Sequence, residues 1–198
     1  MTKFKLFSVA LLTAVVSLSA HAGDSYSVKS DASSVEWYAK KVTGKHNGSI
    51  GIKSGDLTFE GDKLVGGSFV IDMSTIKVLD LEEGSEMNQK LTGHLNSPDF
   101  FNVAEFTEST LKITSAKQVK SEAGNYEITA DLTIKGKTSP VTFNANVAND
   151  GSKVAASAEI VFDRSKYDVR YGSKSFFDNL GDKVIYDDVK MVVSLIAE

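Results

Sequence analysis

Apolar and polar residues alternate with a period of two along most of the chain after residue 22. The clearest run covers residues 126–134, and residues 141–147 repeat it after a segment that contains Gly136 and Pro140. Alternation is typical of strands that bury one face, and Gly and Pro supply the backbone geometry of turns. We therefore predict a β-hairpin over residues 125–148.

Similar alternation predicts further strands, about nine in all with the hairpin. They are expected near residues 34–40, 48–52, 57–59, 67–76, 106–114, 153–162 and 189–196. One segment, residues 85–95, is typical of a short helix, because Met87, Leu91 and either His94 or Leu95 fall three or four positions apart. We expect this helix to lie across the sheet structure or to cap it.

Strands joined by tight Gly, Asn and Asp turns, without repeated helices between them, indicate an all-β protein with an antiparallel sheet. A sandwich and a barrel both satisfy this pattern. About eight strands can close into a barrel whose interior is either filled by side chains or open to one ligand. Alternation alone does not choose between these outcomes.

The first 22 residues have the organisation of a secretory signal peptide. Lys3 and Lys5 precede an apolar stretch that ends in a small-x-small motif at residues 20–22. A membrane-spanning helix needs about 20 apolar residues, and this stretch is shorter. We predict cleavage after residue 22, a periplasmic location, and a single domain over residues 23–198.

Composition narrows the classes of function. The chain has 22 Lys and Arg against 26 Asp and Glu, a formal net charge of −4, and loss of the leader makes it more acidic. The lysines are spread among acids rather than gathered in a basic patch, so we expect no nucleic-acid partner. Cysteine is absent from the sequence, which excludes disulfides, thiol chemistry and thiolate metal sites.

Several blocks of sequence, in this order and spacing, resemble the YceI-like family of periplasmic lipid- or polyisoprenoid-binding proteins. The blocks are Trp37 with Lys-His-Asn-Gly at 45–48, and residues 66–73, 91–103, 131–138, 162–167 and 182–189. The most specific is Leu-Thr-Gly-His-Leu-Asn-Ser-Pro-Asp-Phe-Phe-Asn-Val at 91–103. The resemblance implies a lipocalin-like, extended antiparallel β-barrel with one short helix, whose elongated apolar interior takes up a long-chain isoprenoid or fatty-acyl ligand, without catalysis.

Inward positions of the alternating strands would line such an interior, although each of these residues is more often plain core than ligand contact. The candidates are Trp37, Phe69, Ile71, Phe106, Leu111, Ile128, Leu132, Phe143 and Phe162. Small residues at alternating positions favour open space; these are Ala130, Ala145, Ala156 and Ala158. Phe100 and Phe101 follow the helix, and in an extended segment they would point to opposite sides, which suits either an entrance gate or a staple of helix to barrel.

A polar lipid head would need donors near the cavity mouth. The candidates in or beside predicted turns are His46, Asn47, His94, Arg164 and Arg170. The polar stretch at residues 170–173, next to Phe176 and Phe177, suits a lid, although connecting segments are usually polar and a solvated loop is the more common explanation.

Signals for catalysis are weak. After residue 22 the chain has only two histidines, His46 and His94, and it lacks zinc, phosphate-loop and Gly-x-Ser-x-Gly motifs. We interpret Asp187 and Asp188 as a solvated strand edge or turn. We expect no catalytic residues, no metal site and no required cofactor beyond a bound isoprenoid or acyl lipid.

Two hypotheses follow for the function. In the first, the protein holds or carries an isoprenoid, such as a polyprenyl or quinone species, or a fatty-acyl lipid in the periplasm. In the alternative, a barrel filled with side chains acts through its outer surface as an envelope stress or interaction protein. The sequence leaves open a transient contact with a membrane, and both a monomer and a homodimer.

Overall fold

A computed structural model describes residues 23–122 and 124–198, so the predicted signal peptide lies outside the described residues. This part of the chain forms nine strands and one α-helix. Their bounds are β1 Asp24–Ser27, β2 Ser34–Lys41, β3 Gly44–Glu60, β4 Lys63–Val78, α1 Glu86–Asn96, β5 Glu108–Ser121, β6 Gly124–Ile134, β7 Lys137–Asn149, β8 Val154–Asp163 and β9 Ile185–Ala197. In the described ranges, α1 and the short 3₁₀ turns are not long and apolar enough to cross a membrane.

Eight antiparallel strands close into a barrel in the order β3-β2-β9-β8-β7-β6-β5-β4, and β4 pairs back onto β3. Because the barrel is closed, every strand pairs with a neighbour on both sides over part of its length. Closure therefore removes the exposed edges that an open sheet would present. The prediction of an all-β, lipocalin-like antiparallel barrel with one short helix is confirmed.

The short strand β1 was not predicted, and it shares a position in the barrel wall with β2. β1 pairs with the end of β3 at Asp56–Phe59, whereas β2 pairs with its beginning at Gly44–Ser49. Val28, just after β1, bridges to Ala197 on β9. β1 and β2 therefore fill the gap between β3 and β9 one after the other. Four residues that are mostly exposed give too short an alternation to predict a strand.

The predicted strands at 48–52 and 57–59 are one continuous strand, β3. Its pairing with β4 shifts register between Ser49 and Gly51 and again between Ile52 and Ser54. The buried positions of β3 are even-numbered up to Ile52 and odd-numbered from Leu57, so the period-two pattern is interrupted although the strand continues. The sequence pattern therefore divides one long strand into two.

The predicted hairpin forms from β6 and β7, with a tighter turn than expected. Lys135 and Gly136 form the turn with positive φ angles of 49° and 68°, the conformation that favours two-residue hairpin loops. Pro140 lies within β7 rather than in the turn. Its register partner is Asp131 on β6, and pairing of β7 with β8 begins only at Ala145. A residue without an N–H group is tolerated where one side of the strand is unpaired.

Helix α1 closes one end of the barrel. The Ser85 hydroxyl accepts a hydrogen bond from the Asn88 backbone N–H at 3.2 Å and so caps the helix. Leu95 is buried and Leu91 is half-buried against the barrel, as the predicted apolar face requires. Met87, predicted on that face, is 63% exposed, because the first helical turn extends beyond the packed part of the barrel end.

Candidate ligand-binding site

An internal cavity of about 260 Å³ runs through the barrel, lined by inward side chains of β2 to β9 and by α1. A single water needs roughly 10–15 Å³ of such space, so the cavity is much larger than a packing defect. It lies close to the lower end of the about 300–1,000 Å³ typical of small-molecule pockets. The interior of the described barrel is therefore not filled by side chains.

Small side chains on β7 and β8 open this space. Ala145, Ala156 and Ala158 line the cavity, as their alternating positions suggested. Ala130 is fully buried but does not reach the cavity. Large inward residues around the alanines, such as Phe143, are only part-buried although they face the interior, because part of their surface borders empty space.

The structure places ten of the eleven predicted apolar residues in the cavity lining. They are Trp37, Phe69, Ile71, Phe100, Phe101, Leu111, Ile128, Leu132, Phe143 and Phe162. Phe106 is not among the lining residues. Phe106 lies two residues before β5 begins, and its N–H donates to the Asn102 carbonyl. Its ring lies beside Gly136 in the β6–β7 turn. The prediction for Phe106 was wrong because it extended the alternation of β5 backwards into a turn.

Phe100 and Phe101 both face the cavity, with ring centroids 5.8 Å apart. The expectation that they point to opposite sides was wrong, because residues 98–101 form a turn rather than an extended segment. In that turn the Phe100 and Phe101 N–H groups donate to the carbonyls of Ser97 and Leu95. Adjacent side chains in a turn can point the same way, whereas adjacent side chains in a strand cannot.

The cavity is closed at the end opposite α1 by a tightly packed cluster. Phe59, Leu64 and Val154 are each no more than 1% exposed there. The Tyr126 hydroxyl accepts a hydrogen bond from the Leu64 N–H at 3.1 Å, and the Tyr26 ring packs edge-on against Phe59 with centroids 5.5 Å apart. This end is the floor of the cavity.

An aromatic cluster closes most of the α1 end. The His94 ring packs edge-on between Phe100 and Tyr171, with centroid distances of 5.2 Å and 4.3 Å. Tyr171 belongs to the polar stretch that the sequence suggested as a lid or a solvated loop. Its ring contacts the aromatic cluster, although it remains 47% exposed. The stretch therefore packs over the barrel end instead of extending into solvent.

Arg164 is buried beneath this cap and is only 2% exposed. Its Nη1 donates to the Val169 carbonyl at 2.9 Å, its Nη2 to Ile185 at 3.1 Å and its Nε to Tyr186 at 3.3 Å. Nη2 also lies 3.1 Å from Oδ1 of Asp187. The guanidinium therefore connects the 3₁₀ turn that follows β8 to the start of β9, and these contacts occupy most of its donors.

Asp187 is part of this buried network, so its interpretation as a solvated residue was wrong. Its Oδ2 accepts hydrogen bonds from the hydroxyls of Ser173 at 2.9 Å and Ser175 at 2.8 Å. Burial lowers the pKa of Arg164, and the nearby charges of Asp187 and Asp163 oppose that shift. Because arginine is not deprotonated in proteins, the guanidinium remains charged and needs this carboxylate.

The predicted polar residues separate into two groups. His46, His94 and Arg164 line the cavity, whereas Asn47 and Arg170 are not in its lining. Asn47 lies on β3 rather than in a turn, and its N–H donates to Asp80 at 3.0 Å. Arg170 is on the surface, where it pairs with Asp168 at 2.6 Å and lies over the ring of Phe176 at 4.9 Å.

Two lysines that sequence reasoning missed, Lys40 and Lys41, also line the cavity. Together with His46 they mark the opening, between the β2–β3 turn, α1 and the start of β9. The alternation contained part of this signal, because Lys41 continues the inward series of Trp37 and Ala39. In the described ranges the structure shows no cluster of three His, Cys, Asp or Glu side chains arranged to hold a metal.

The fold and cavity define a class of protein: a small antiparallel β-barrel, capped at one end by a helix, that encloses an apolar space. Within that class, the model of the YceI-like domain matches residues 26–197. The chain belongs to the YceI-like family, which confirms the resemblance found in the sequence.

Relatives match over shorter stretches. A UPF0312 protein of Photorhabdus laumondii is 39% identical over 77 residues, 39% of this chain and 37% of that protein. A UPF0312 protein of Vibrio parahaemolyticus is 30% identical over 107 residues, 54% of this chain and 56% of that protein. The aligned segments thus span less than two thirds of either relative.

Solved structures share the fold at low sequence identity. BcnA of Burkholderia cenocepacia superposes with a TM-score of 0.66 at 21% identity, covering 86% of this chain and 99% of that chain. A polyisoprenoid-binding domain of Saccharophagus degradans, implicated in plant cell wall breakdown, gives a TM-score of 0.63 at 16% identity, covering 90% and 99%. At these sequence identities, the two structures show that the fold is shared.

Proposed function

We propose that the protein binds one long apolar chain inside the barrel, a polyprenyl or quinone isoprenoid or a fatty-acyl chain, and carries it through the periplasm. The observation that carries this proposal is the cavity, whose walls are apolar from the floor to the aromatic cap. An isoprenoid or acyl tail has no hydrogen-bonding groups. Binding stabilises the tail by about 25 cal/mol for each Å² of apolar surface that is removed from water, so an enclosed apolar wall suits it.

Two further observations support the proposal. The domain of Saccharophagus degradans, which shares the fold, is described as polyisoprenoid-binding. The leader-like segment at residues 1–22 supports export to the periplasm, an aqueous compartment in which a free long-chain lipid is poorly soluble.

The cavity also favours this proposal over the alternative of a filled barrel that acts only through its surface. A filled barrel would show continuous side-chain packing along its axis, whereas here inward phenylalanines and leucines border open space. Family membership and the apolar walls favour binding over catalysis.

We further propose that the capped end touches a membrane when lipid enters or leaves. Exposed apolar side chains gather around this end; they are Val42, Leu79, Met87, Tyr171, Phe176, Phe177 and Tyr186. The same end carries the cavity opening, so a ligand could pass from bilayer to barrel with little exposure to water.

Native mass spectrometry of protein purified from a bacterial periplasm, followed by organic extraction, tests the proposal. We expect about one lipid of polyprenyl or acyl mass per chain. The variant Ala158→Phe places a ring inside the cavity and should lower lipid occupancy strongly. Ala155→Phe is the matched control, because Ala155 is exposed on the outer face of the same strand.

The two variants separate a cavity site from surface adsorption. Equal lipid occupancy in Ala155→Phe, Ala158→Phe and the unchanged protein would place the lipid outside the barrel. Protein without extractable lipid that also fails to take up added quinone or fatty acid would overturn the proposal.

A further inference from the structure

Basic residues border the opening of the cavity. Lys40 and Lys41 both contribute to the lining, and His46 lies beside them across the β2–β3 pair. Lys45 is the register partner of Lys40. Four basic residues therefore lie within one seven-residue hairpin at the point where the apolar walls end.

A local irregularity brings two adjacent lysines to one cavity. In a regular strand, neighbours point to opposite faces, so only Lys41 would follow Trp37 and Ala39 inward. The pairing of β2 with β9 shifts register between Ala39 and Lys41. Such a shift breaks the alternation, and Lys40 also borders the cavity opening.

Among the described residues, neither Lys40 nor Lys41 takes part in an ion pair. The nearby carboxylate of Asp80 is occupied, since it pairs with His46 at 2.8 Å and accepts the Asn47 N–H at 3.0 Å. Lys40 and Lys45 are register partners, and like charges directly opposite in a sheet repel each other.

We propose that the ligand has an anionic head, a phosphate or a carboxylate, and that Lys40 and Lys41 hold this head at the cavity opening. The inference rests on the proposed function and specifies the class of lipid. Ammonium groups form charge-assisted hydrogen bonds with such anions, which are stronger than bonds to neutral acceptors. An uncharged quinone or alcohol would leave both lysines without a counter-charge.

The test compares ligands that share an apolar tail and differ in their head group. Titrations followed by fluorescence of Trp37, which lines the cavity, use hexadecanoic acid against hexadecanol, and farnesyl phosphate against farnesol. Hydrogen bonds to charged groups are worth about 1.5–3 kcal/mol, so each acid should bind roughly tenfold or more tightly than its alcohol. In Lys40→Gln/Lys41→Gln the ratio of the alcohol Kd to the acid Kd should fall to near one.

Lys117→Gln/Lys120→Gln is the matched control, since it removes two exposed lysines of β5 that do not line the cavity. It should retain the preference. Inorganic phosphate, which lacks a tail, should compete only weakly, and tight binding of phosphate alone would overturn the amphiphile proposal. Equal affinity for acid and alcohol in the unchanged protein would overturn the anionic head while leaving the carrier proposal intact. Binding of neither would overturn the carrier proposal itself.

Discussion

Trp37 and Gly48 are register partners on β2 and β3, and the indole of Trp37 packs directly on the glycine backbone. A Cβ atom at Gly48 would lie 2.6 Å from two ring carbons and would overlap the carbonyl oxygen of Lys77. That carbonyl also accepts the hydrogen bond of the indole Nε1 at 3.1 Å. The position of a large cavity-wall side chain therefore depends on the absence of a side chain opposite it.

Gly48→Ala should destabilise the protein by about 1–3 kcal/mol, the usual cost of overpacking a filled site. The added methyl must displace both the indole and a backbone carbonyl. Urea unfolding followed by circular dichroism measures the change. The control is Gly66→Ala, where the nearest atom to the added Cβ lies at 3.9 Å. Similar urea midpoints for Gly48→Ala and Gly66→Ala would contradict the prediction that the close contact of Trp37 with Gly48 excludes a side chain there.

Arg164→Met should lower the free energy of unfolding by about 3–5 kcal/mol, because it leaves the half-buried carboxylate of Asp187 without its counter-charge. It also frees three backbone carbonyls that the guanidinium satisfies. Lys190→Met, which breaks the solvent-exposed pair with Glu159, should cost at most about 1 kcal/mol. Comparable losses in the two variants, measured by urea unfolding, would show that burial does not strengthen the Arg164 network.

Asp150 in the β7–β8 turn should stabilise the protein only while it is ionised. Its carboxylate accepts hydrogen bonds from the backbone N–H groups of Ser152 and Lys153 and from the Ser152 hydroxyl, and these lower its pKa. A lowered pKa in the folded state gives stability that is present above the unfolded pKa of about 3.9 and is lost as pH falls through the folded pKa.

Asp150→Asn should therefore be less stable than the unchanged protein near pH 6, and the difference should shrink as pH falls below about 3.9. Unfolding curves at several pH values measure this. Ser152→Ala is the control, because it keeps both backbone donors and should retain part of the pH dependence. A difference that stays constant with pH would exclude the charge of Asp150 as its cause.

Phe176→Ser/Phe177→Ser should weaken membrane contact. The two rings are 38% and 49% exposed beside the barrel cap, so their removal lowers the apolar area available to a bilayer without opening the core. Co-sedimentation with vesicles of phosphatidylethanolamine and phosphatidylglycerol measures the effect. Val65→Ser, an exposed site at the floor end, should bind vesicles as the unchanged protein does, and equal binding by all three proteins would exclude this surface.

The walls of the cavity were predictable because inward and outward positions alternate in a strand, whatever its neighbours are. Parity alone assigned Phe69 and Ile71 on β4 and Leu132 on β6 to the interior. The same rule failed at Phe106 and at the pair Phe100 and Phe101. There the chain turns, and side chains do not alternate between two faces as they do in a strand.

The cap was less predictable because it depends on residues that are distant in the chain. Arg164 and Asp187 are 23 positions apart, and the pairing of β8 with β9, in which Asp163 is the register partner of Asp188, brings them together. His94 on α1 meets Tyr171 because the segment between β8 and β9 packs over the barrel end. Two aspartates in sequence look alike, and burial alone distinguishes Asp187 in its network from its exposed neighbour Asp188.

The sequence by itself determined the alternating strands, the single helix and the family, because these depend on local periodicity and on the order of short motifs. Only the tertiary structure decided that the barrel encloses open space, since the volume left inside depends on how all eight strands close together. It also decided which charges face that space. Register shifts and chain closure place Lys40 at the opening and Arg164 beneath the cap, and these are long-range consequences of packing that no local pattern contains.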